Sequence, residues 1–401
     1  MSLIKFLYII RTEADFERVV CLAISGKGKF EQHFVFAGDS SLFYKDGIKN
    51  YFQKELFKQH GFKPTDFCDF TLLGRLFKIF SGGISVSMEE FFLNKKLFLP
   101  WLINAFFRRY INKNKKKIVQ KVLSTIKPDF LLTDQSITYS EYIPEIFRQA
   151  SINKDIPVYI FTHGAAGGLH SFFSKQNFDK YEGCTVFSCS EYEDKSDAEN
   201  RIVLGDMSSS YPYVHFMNKQ DITHIQFMDD RKYKVGFMVG GIGPLTSTAG
   251  WHVMEEIIID LSANKDVAMV LKLHPRMTFY DLRLLDTFDN LLIVNRETDR
   301  SRVSKWADIV VCGDHCSTVF EPMVLGKKVV AVEGRHIPKY KNNHSPLKKS
   351  SVLHISTADK FDLENIPNAD PEDAVTNTVA WGGHGKIDLA ELTFEYLQKY
   401  R

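Results

Sequence analysis

Short apolar runs recur along the chain, separated by polar segments of helix length. In the first half these runs are Phe6 to Ile10, His33 to Ala37, Phe130 to Thr133, Val158 to Phe161, Val186 to Cys189 and Arg201 to Leu204. Runs that are apolar throughout, rather than at alternate positions, suit parallel strands covered on both faces. Strand, helix, strand in repetition predicts an open α/β sheet. The second half reads more plainly. Strands are expected at Lys234 to Val239, Val267 to Leu273, Leu291 to Val294, Ile309 to Cys312 and Lys328 to Val332. Helices are expected between them at His252 to Ser262, Asp281 to Phe288, Ser301 to Ala307 and Thr318 to Leu325. The polar stretch 218–233, rich in Asp, Lys and Gln, is the expected linker between an N-terminal domain 1–217 and a C-terminal domain 234–385. An amphipathic helix is expected in the closing segment 386–401. The pattern predicts two Rossmann-like domains with a cleft between them.

Composition agrees with this reading. A chain of 401 residues is too long for one ordinary core and fits two domains. With 44% hydrophobic and 25% charged residues it is globular, which excludes disordered, collagen-like and coiled-coil classes. A net charge of +2, from 51 basic and 49 acidic residues, argues against a nucleic-acid partner. Six cysteines are too few for a disulfide scaffold, and the spacings Cys184–Cys189 and Cys312–Cys316 are wrong for a four-thiolate zinc site. Reduced, mostly buried thiols and no metal are expected. The opening MSLIKFLYIIRTEADF lacks the basic start, long apolar middle and cleavage site of a signal peptide. No stretch reaches the roughly 18 consecutive apolar residues of a membrane span. A cytoplasmic protein is expected.

In open α/β sheets ligands bind at the carboxyl ends of the strands, so the residues just after each strand are the candidates for chemistry. Lys272-Leu273-His274-Pro275-Arg276 follows one strand. His274 can donate to a phosphate or ribose oxygen, and Arg276 can grip a phosphate through two bonds. The sequence Gly313 to Glu321 follows another strand, with Ser317 and Thr318 opening the expected helix. Hydroxyls and free N–H groups there would form an anion site aided by the helix dipole, with Glu321 one turn in to accept from ribose hydroxyls. A plain N-cap with Glu321 at the capping-box position fits the same residues. The loop beginning Gly240-Gly241 lets backbone approach a ligand closely. It is neither a Walker loop nor a dinucleotide fingerprint, which argues against a nicotinamide enzyme. In the first half, His163 lies in the loop Thr162 to Gly168, where it can act as a base near neutral pH, or simply bond to neighbouring backbone. Asp134 ends the preceding strand, placed to orient an imidazole or to cap the next helix.

The segment Phe91 to Lys121 contains no Asp or Glu and mixes Phe, Leu, Trp and Tyr with Lys and Arg, broken at Pro100. An anionic membrane surface fits such a segment. A core helix followed by a solvated basic one fits it as well.

His163-Gly164, His274-Pro275 and Ser317-Thr318, with Ala307 to Val310 and Leu325 to Val330 around them, together resemble the two-Rossmann-domain (GT-B) transferases that use cytidine-nucleotide donors. The pattern is most similar to the CDP-glycerol glycerophosphotransferases of teichoic acid synthesis, and shares part with capsule sialyl- and Kdo-transferases. The resemblance is strongest over 234–335. It departs in the Ala-Ala-Gly-Gly after His163-Gly164, in Ser-Thr at 317–318, and in Gly-Asp-His-Cys before that pair. It implies a membrane-peripheral enzyme moving a sugar or polyol phosphate from a CMP- or CDP-linked donor to a glycan or lipid-linked glycan acceptor. By the same resemblance His163 is the base, His274, Arg276, Ser317 and Thr318 hold the donor phosphate, and Glu321 binds the ribose. The donor is a substrate, and no cofactor is called for. Two alternatives stay open: a UDP-sugar transferase or non-hydrolysing UDP-sugar 2-epimerase, and a non-catalytic subunit of a capsule assembly complex.

Overall fold

A computed structural model describes residues 3–10, 13–37, 51–63, 65–81, 98–134, 143–161, 183–188, 201–203, 211–220, 225–239, 248–273, 285–294, 298–313, 317–333, 351–373, 391, 393–395 and 397. The first sheet is built from β1 (Lys5–Ile10), β2 (Glu31–Phe36), β3 (Thr65–Asp66), β4 (Phe130–Asp134), β5 (Val158–Phe161), β6 (Cys184–Ser188) and β7 (Arg201–Val203). Their spatial order is β3-β2-β1-β4-β5-β6-β7, and every pairing is parallel. The second sheet contains β8 (Tyr233–Met238), β9 (Val267–Lys272), β10 (Leu291–Val294), β11 (Ile309–Gly313), β12 (Lys328–Val332) and β13 (Leu353–Ile355). It is also wholly parallel, in the order β10-β9-β8-β11-β12-β13.

The apolar runs have the reason expected of them. In β1, Phe6, Tyr8 and Ile10 enter one core, and Leu7 and Ile9 enter another on the opposite face. One face is covered by α1 (Glu13–Ser25) and α2 (Tyr51–Gln59). The other is covered by α4 (Phe98–Ile126) and α5 (Ile143–Ile152). A short helix, α3 (Leu72–Ser81), packs beside α4. The second sheet repeats the scheme: Met238, Val270, Val310 and Ala331 point to one core, and Phe237, Met269, Val311 and Val330 to the other. Helix α7 (Thr248–Ser262) lines the second of these, while α8 (Arg300–Trp306) and α9 (Phe320–Val324) line the first. Gly236 in β8 permits the close approach of α8, since a Cβ there would meet Val303 Cγ1 at 2.7 Å.

Helix α6 (Tyr211–Asn218) joins the two halves. Its Met217 is buried in the first domain's core and its Val214 in the second's. Ile225 also packs in the second core, and Trp306 Nε1 donates to the Phe227 carbonyl at 3.2 Å. The end of the chain returns to the first domain. Phe394 stacks on Phe30 at 4.5 Å between centroids and meets Phe6 edge-on at 5.6 Å.

Three expectations need correction. Of the helix expected at 281–288, residues 281–284 lie outside the described residues, and Leu285–Thr287 form only a 3-10 turn. The helix expected over 318–325 is a 3-10 turn, Ser317–Val319, followed by the five residues of α9. Of the basic segment, residues 91–97 lie outside the described residues, and Pro100 does not interrupt the rest. Helix α4 runs unbroken for 29 residues from Phe98, with Pro100 in its first turn, where an absent N–H costs nothing. Among the described residues no helix is long and apolar enough to cross a membrane.

Candidate functional site

The order of the second sheet reverses between β8 and β11. From β8 the chain builds outward through β9 and β10, and from β11 it builds the other way through β12 and β13. At such a reversal the connections leave toward opposite faces and open a crevice at the carboxyl edge. The register aligns Cys312 of β11 with Met238 of β8, and Met238 with Lys272 of β9. The Val239 N–H then donates to the Lys272 carbonyl at 3.2 Å. This one edge therefore carries the end of β8, the half-buried Lys272, and the turn that opens at Ser317 after β11.

Thr318 sits half-buried in the 3-10 turn, and Glu321 is buried in α9. The five-residue α9 contains Pro322, so few peptide dipoles align along it. The helix-dipole anion site expected from the sequence is therefore weak here, and charge stabilisation falls to side chains. Glu321 is not a solvated capping residue either. Its Oε2 lies 3.2 Å from Arg300 Nε, with both side chains nearly buried. Arg300 is the site residue that the sequence reading missed. It opens α8, and no motif in the sequence around it marks it as a site residue. Asp299 caps the same helix, its carboxylate accepting from the Ser301 N–H at 2.8 Å. Lys272 Nζ lies 3.4 Å from the Leu273 carbonyl.

In the first sheet the order reverses between β1 and β4. Asp134, the last residue of β4, is in register with Phe161, the last of β5. His163 follows Phe161 by two positions and lies outside the described residues. Gly240, Gly241, His274 and Arg276 lie outside them too. The structure thus brings Lys272, Ser317, Thr318 and Glu321 to one edge, with Arg300 beside them, and puts Asp134 at the corresponding edge of the other sheet.

Among the described residues, Cys21, Cys68, Cys184 and Cys312 are buried thiols outside any disulfide. Burial pushes the Cys184 thiol up to about 11, against a smaller opposing pull from Arg148. Among the described residues, one cluster has donors close enough to share an ion: Asp66, Cys68 and Asp69. The Asp66 N–H donates to Asp69 Oδ2 at 3.2 Å, closing the 3-10 turn Phe67–Phe70, so local turn geometry accounts for the grouping.

No protein-family model matches the sequence, and no curated protein sequence matches it. Solved structures do match over the whole chain. The UDP-N-acetylglucosamine 2-epimerase of Rickettsia bellii has a TM-score of 0.56 at 11% identity, covering 100% of this chain and 97% of its own. The UDP-GlcNAc 2-epimerase of Neisseria meningitidis, bound to UDP-GlcNAc, has a TM-score of 0.56 at 12% identity, covering 99% and 100%. Anabaena HepE, in complex with UDP and glucose, has a TM-score of 0.55 at 13% identity, again covering 99% and 100%. The likeness spans both domains and both parallel sheets, and the chain accordingly has the GT-B fold of these enzymes.

Proposed function

We propose that this chain is an enzyme acting on a UDP-linked sugar bound at the carboxyl edge of the second sheet, and that its reaction is a 2-epimerisation. The observation that carries the reading is the gathering of Lys272, Ser317, Thr318 and Glu321 at the reversal of that sheet. UDP or UDP-GlcNAc accompanies two of the proteins that share the fold over their full length. This support rests on the fold and is an analogy at that level. A cytidine-linked donor, implied by the sequence motifs, has no such support from these structures.

In this reading Lys272, His274 and Arg276 neutralise the diphosphate. Ser317 and Thr318 donate to it, and Glu321 accepts from the ribose hydroxyls. Arg300 holds the Glu321 carboxylate in place. Asp134 and His163, from the strand ends of the first domain, supply the acid and base. Inversion at C2 breaks the C2–H bond and remakes it on the other face, so one group must take a proton and another deliver one.

The test has two parts. Thermal melting is measured with UDP, UDP-GlcNAc, CMP, CDP and GDP. A ligand at a hundred times its Kd stabilises the native state by about 2.7 kcal/mol, a rise of several degrees. The rise is expected with UDP and UDP-GlcNAc and is lost in His274→Ala. UDP-GlcNAc is then incubated with the enzyme alone in D2O and followed by proton NMR. A new 2-epimer carrying deuterium at C2, formed with no acceptor present, is the expected product. A melting shift with cytidine nucleotides alone would overturn the reading. So would UDP-GlcNAc turnover that begins only when a glycan acceptor is added.

A further inference from the structure

Helices α3 and α4 present an apolar surface on the side turned away from the core. Core-facing positions of α4, among them Phe107, Ile111, Ile118 and Val122, are buried. On its other side Leu102 is 46% exposed and Phe106 68%. Leu72, Leu73 and Leu76 of the neighbouring α3 are 75%, 38% and 38% exposed. Among the described residues only seven large hydrophobic side chains are exposed, and these five lie on two adjacent helices. Such concentration marks an interaction surface rather than scattered surface apolarity.

The charge on the same two helices is one-sided. They carry nine Lys and Arg residues and no Asp or Glu, while the whole chain carries only +2. Along the outer stripe of α4, at spacings of three and four, Leu102 and Phe106 give way to Arg109, Lys113 and Lys116, all exposed. The stripe therefore begins apolar and becomes basic.

We infer that the α3–α4 face docks onto an anionic lipid leaflet, its leucines and Phe106 entering the headgroup boundary and its basic stripe lying over the lipid phosphates. A surface that offers anions above and hydrocarbon below complements both halves of this face at once. A second copy of the chain would set two basic faces against each other. Single-stranded nucleic acid would call for stacking aromatics, whereas four of the five exposed apolar side chains are leucines. The inference is independent of the UDP-sugar reading, because neither helix contributes to the edge of the second sheet.

The test is co-sedimentation of the full chain with phosphatidylcholine vesicles, with and without about 30% phosphatidylglycerol, at low and high salt. Binding is expected only to the anionic vesicles, and high salt should weaken it. The double variant Lys113→Gln/Lys116→Gln should lower the partition coefficient about 25-fold, at about fivefold per charge removed. The variant Leu72→Ser/Phe106→Ser changes exposed positions and should fold, which circular dichroism and an unchanged urea midpoint check. It should lose at least tenfold in partition. Absence of binding at low salt overturns the inference, as does equal binding to neutral vesicles. It fails too if the folded leucine and phenylalanine variant binds as wild type. Self-association abolished by the same variant would assign the face to a second copy, and tighter binding to an oligonucleotide than to vesicles would assign it to nucleic acid.

Discussion

Replacing Arg300 by Met removes one half of a nearly buried ion pair. Its guanidinium Nε lies 3.2 Å from Glu321 Oε2, and the two side chains are 12% and 4% exposed. At an effective dielectric of about 20, unit charges at that separation attract by about 5 kcal/mol. Desolvation of both groups offsets most of this, so the intact pair adds little net stability. Removing only the cation is different, because the Glu321 carboxylate stays in its low-dielectric setting without the Arg300 charge. The expected cost is about 3–5 kcal/mol, or about 6–20 °C in the melting of a domain this size. Urea denaturation followed by tryptophan fluorescence reads the effect, with Trp306 closing the same helix that Arg300 opens. The double variant Arg300→Met/Glu321→Leu replaces both charges with apolar side chains and should regain most of the loss. A single variant within about 1 kcal/mol of wild type would refute the reasoning. A double variant that loses as much as the two singles combined would refute it as well, since the charges would then not be acting on each other.

Other outcomes follow from the packing and the titrating groups. Gly236→Ala forces a Cβ to within 2.7 Å of Val303 Cγ1 and 3.0 Å of Ala307 Cβ. It should cost about 1–3 kcal/mol, read as a lower urea midpoint at unchanged slope. Phe394→Ala empties a site against Phe6 and Phe30 and should cost about 3–5 kcal/mol. Limited proteolysis should then cut the chain's end well before the sheets. His60 and His215 are held below the ordinary value of 6.5, each by burial first and then by a nearby lysine, Lys27 and Lys219 respectively. A depressed folded value means the unfolded chain takes the proton first. The contribution is therefore present above pH 6.5 and lost as pH falls through the folded values. Melting curves between pH 7.5 and 5 should show this decline, and His60→Gln should flatten it; a slope identical to wild type would remove His60 from the account.

The strands were legible because both faces of each sheet are covered. Burial on both sides leaves no room for polar alternation, so Val158–Phe161 and Lys328–Val332 stand out from the sequence at their true bounds. Of the four edge strands, β7 and β10 were legible as apolar runs, but β3 and β13 were not. β3 is only Thr65–Asp66, and β13 is Leu353–Ile355 with a half-buried His354 at its centre. At two and three residues, both are too short to show an apolar run. At the candidate site, residue types and strand ends could be read, but partnership could not. Glu321 fitted a cap and a ribose ligand equally well, and nothing local announced Arg300, 21 positions away. Side chains meeting across two helices depend on how those helices pack, and that information is not local to either.

The same non-locality governs how the two halves are tied. Helix α6 gives Met217 to one core and Val214, three residues earlier, to the other. The helix is therefore a shared element rather than a free connection, and it cannot detach from one core without rotating its contacts in the other. The tail adds a second crossing, with Phe394 locked between Phe6 and Phe30 and Lys29 Nζ paired with Glu391 at 3.0 Å. Of these, the aromatic contact carries the attachment, because the ion pair is more than half exposed and worth little in water. Two attachments anchored in apolar cores thus tie the halves together. In the proposed reading, this tie between the halves is what lets Asp134 and Lys272, on different sheets, serve one substrate.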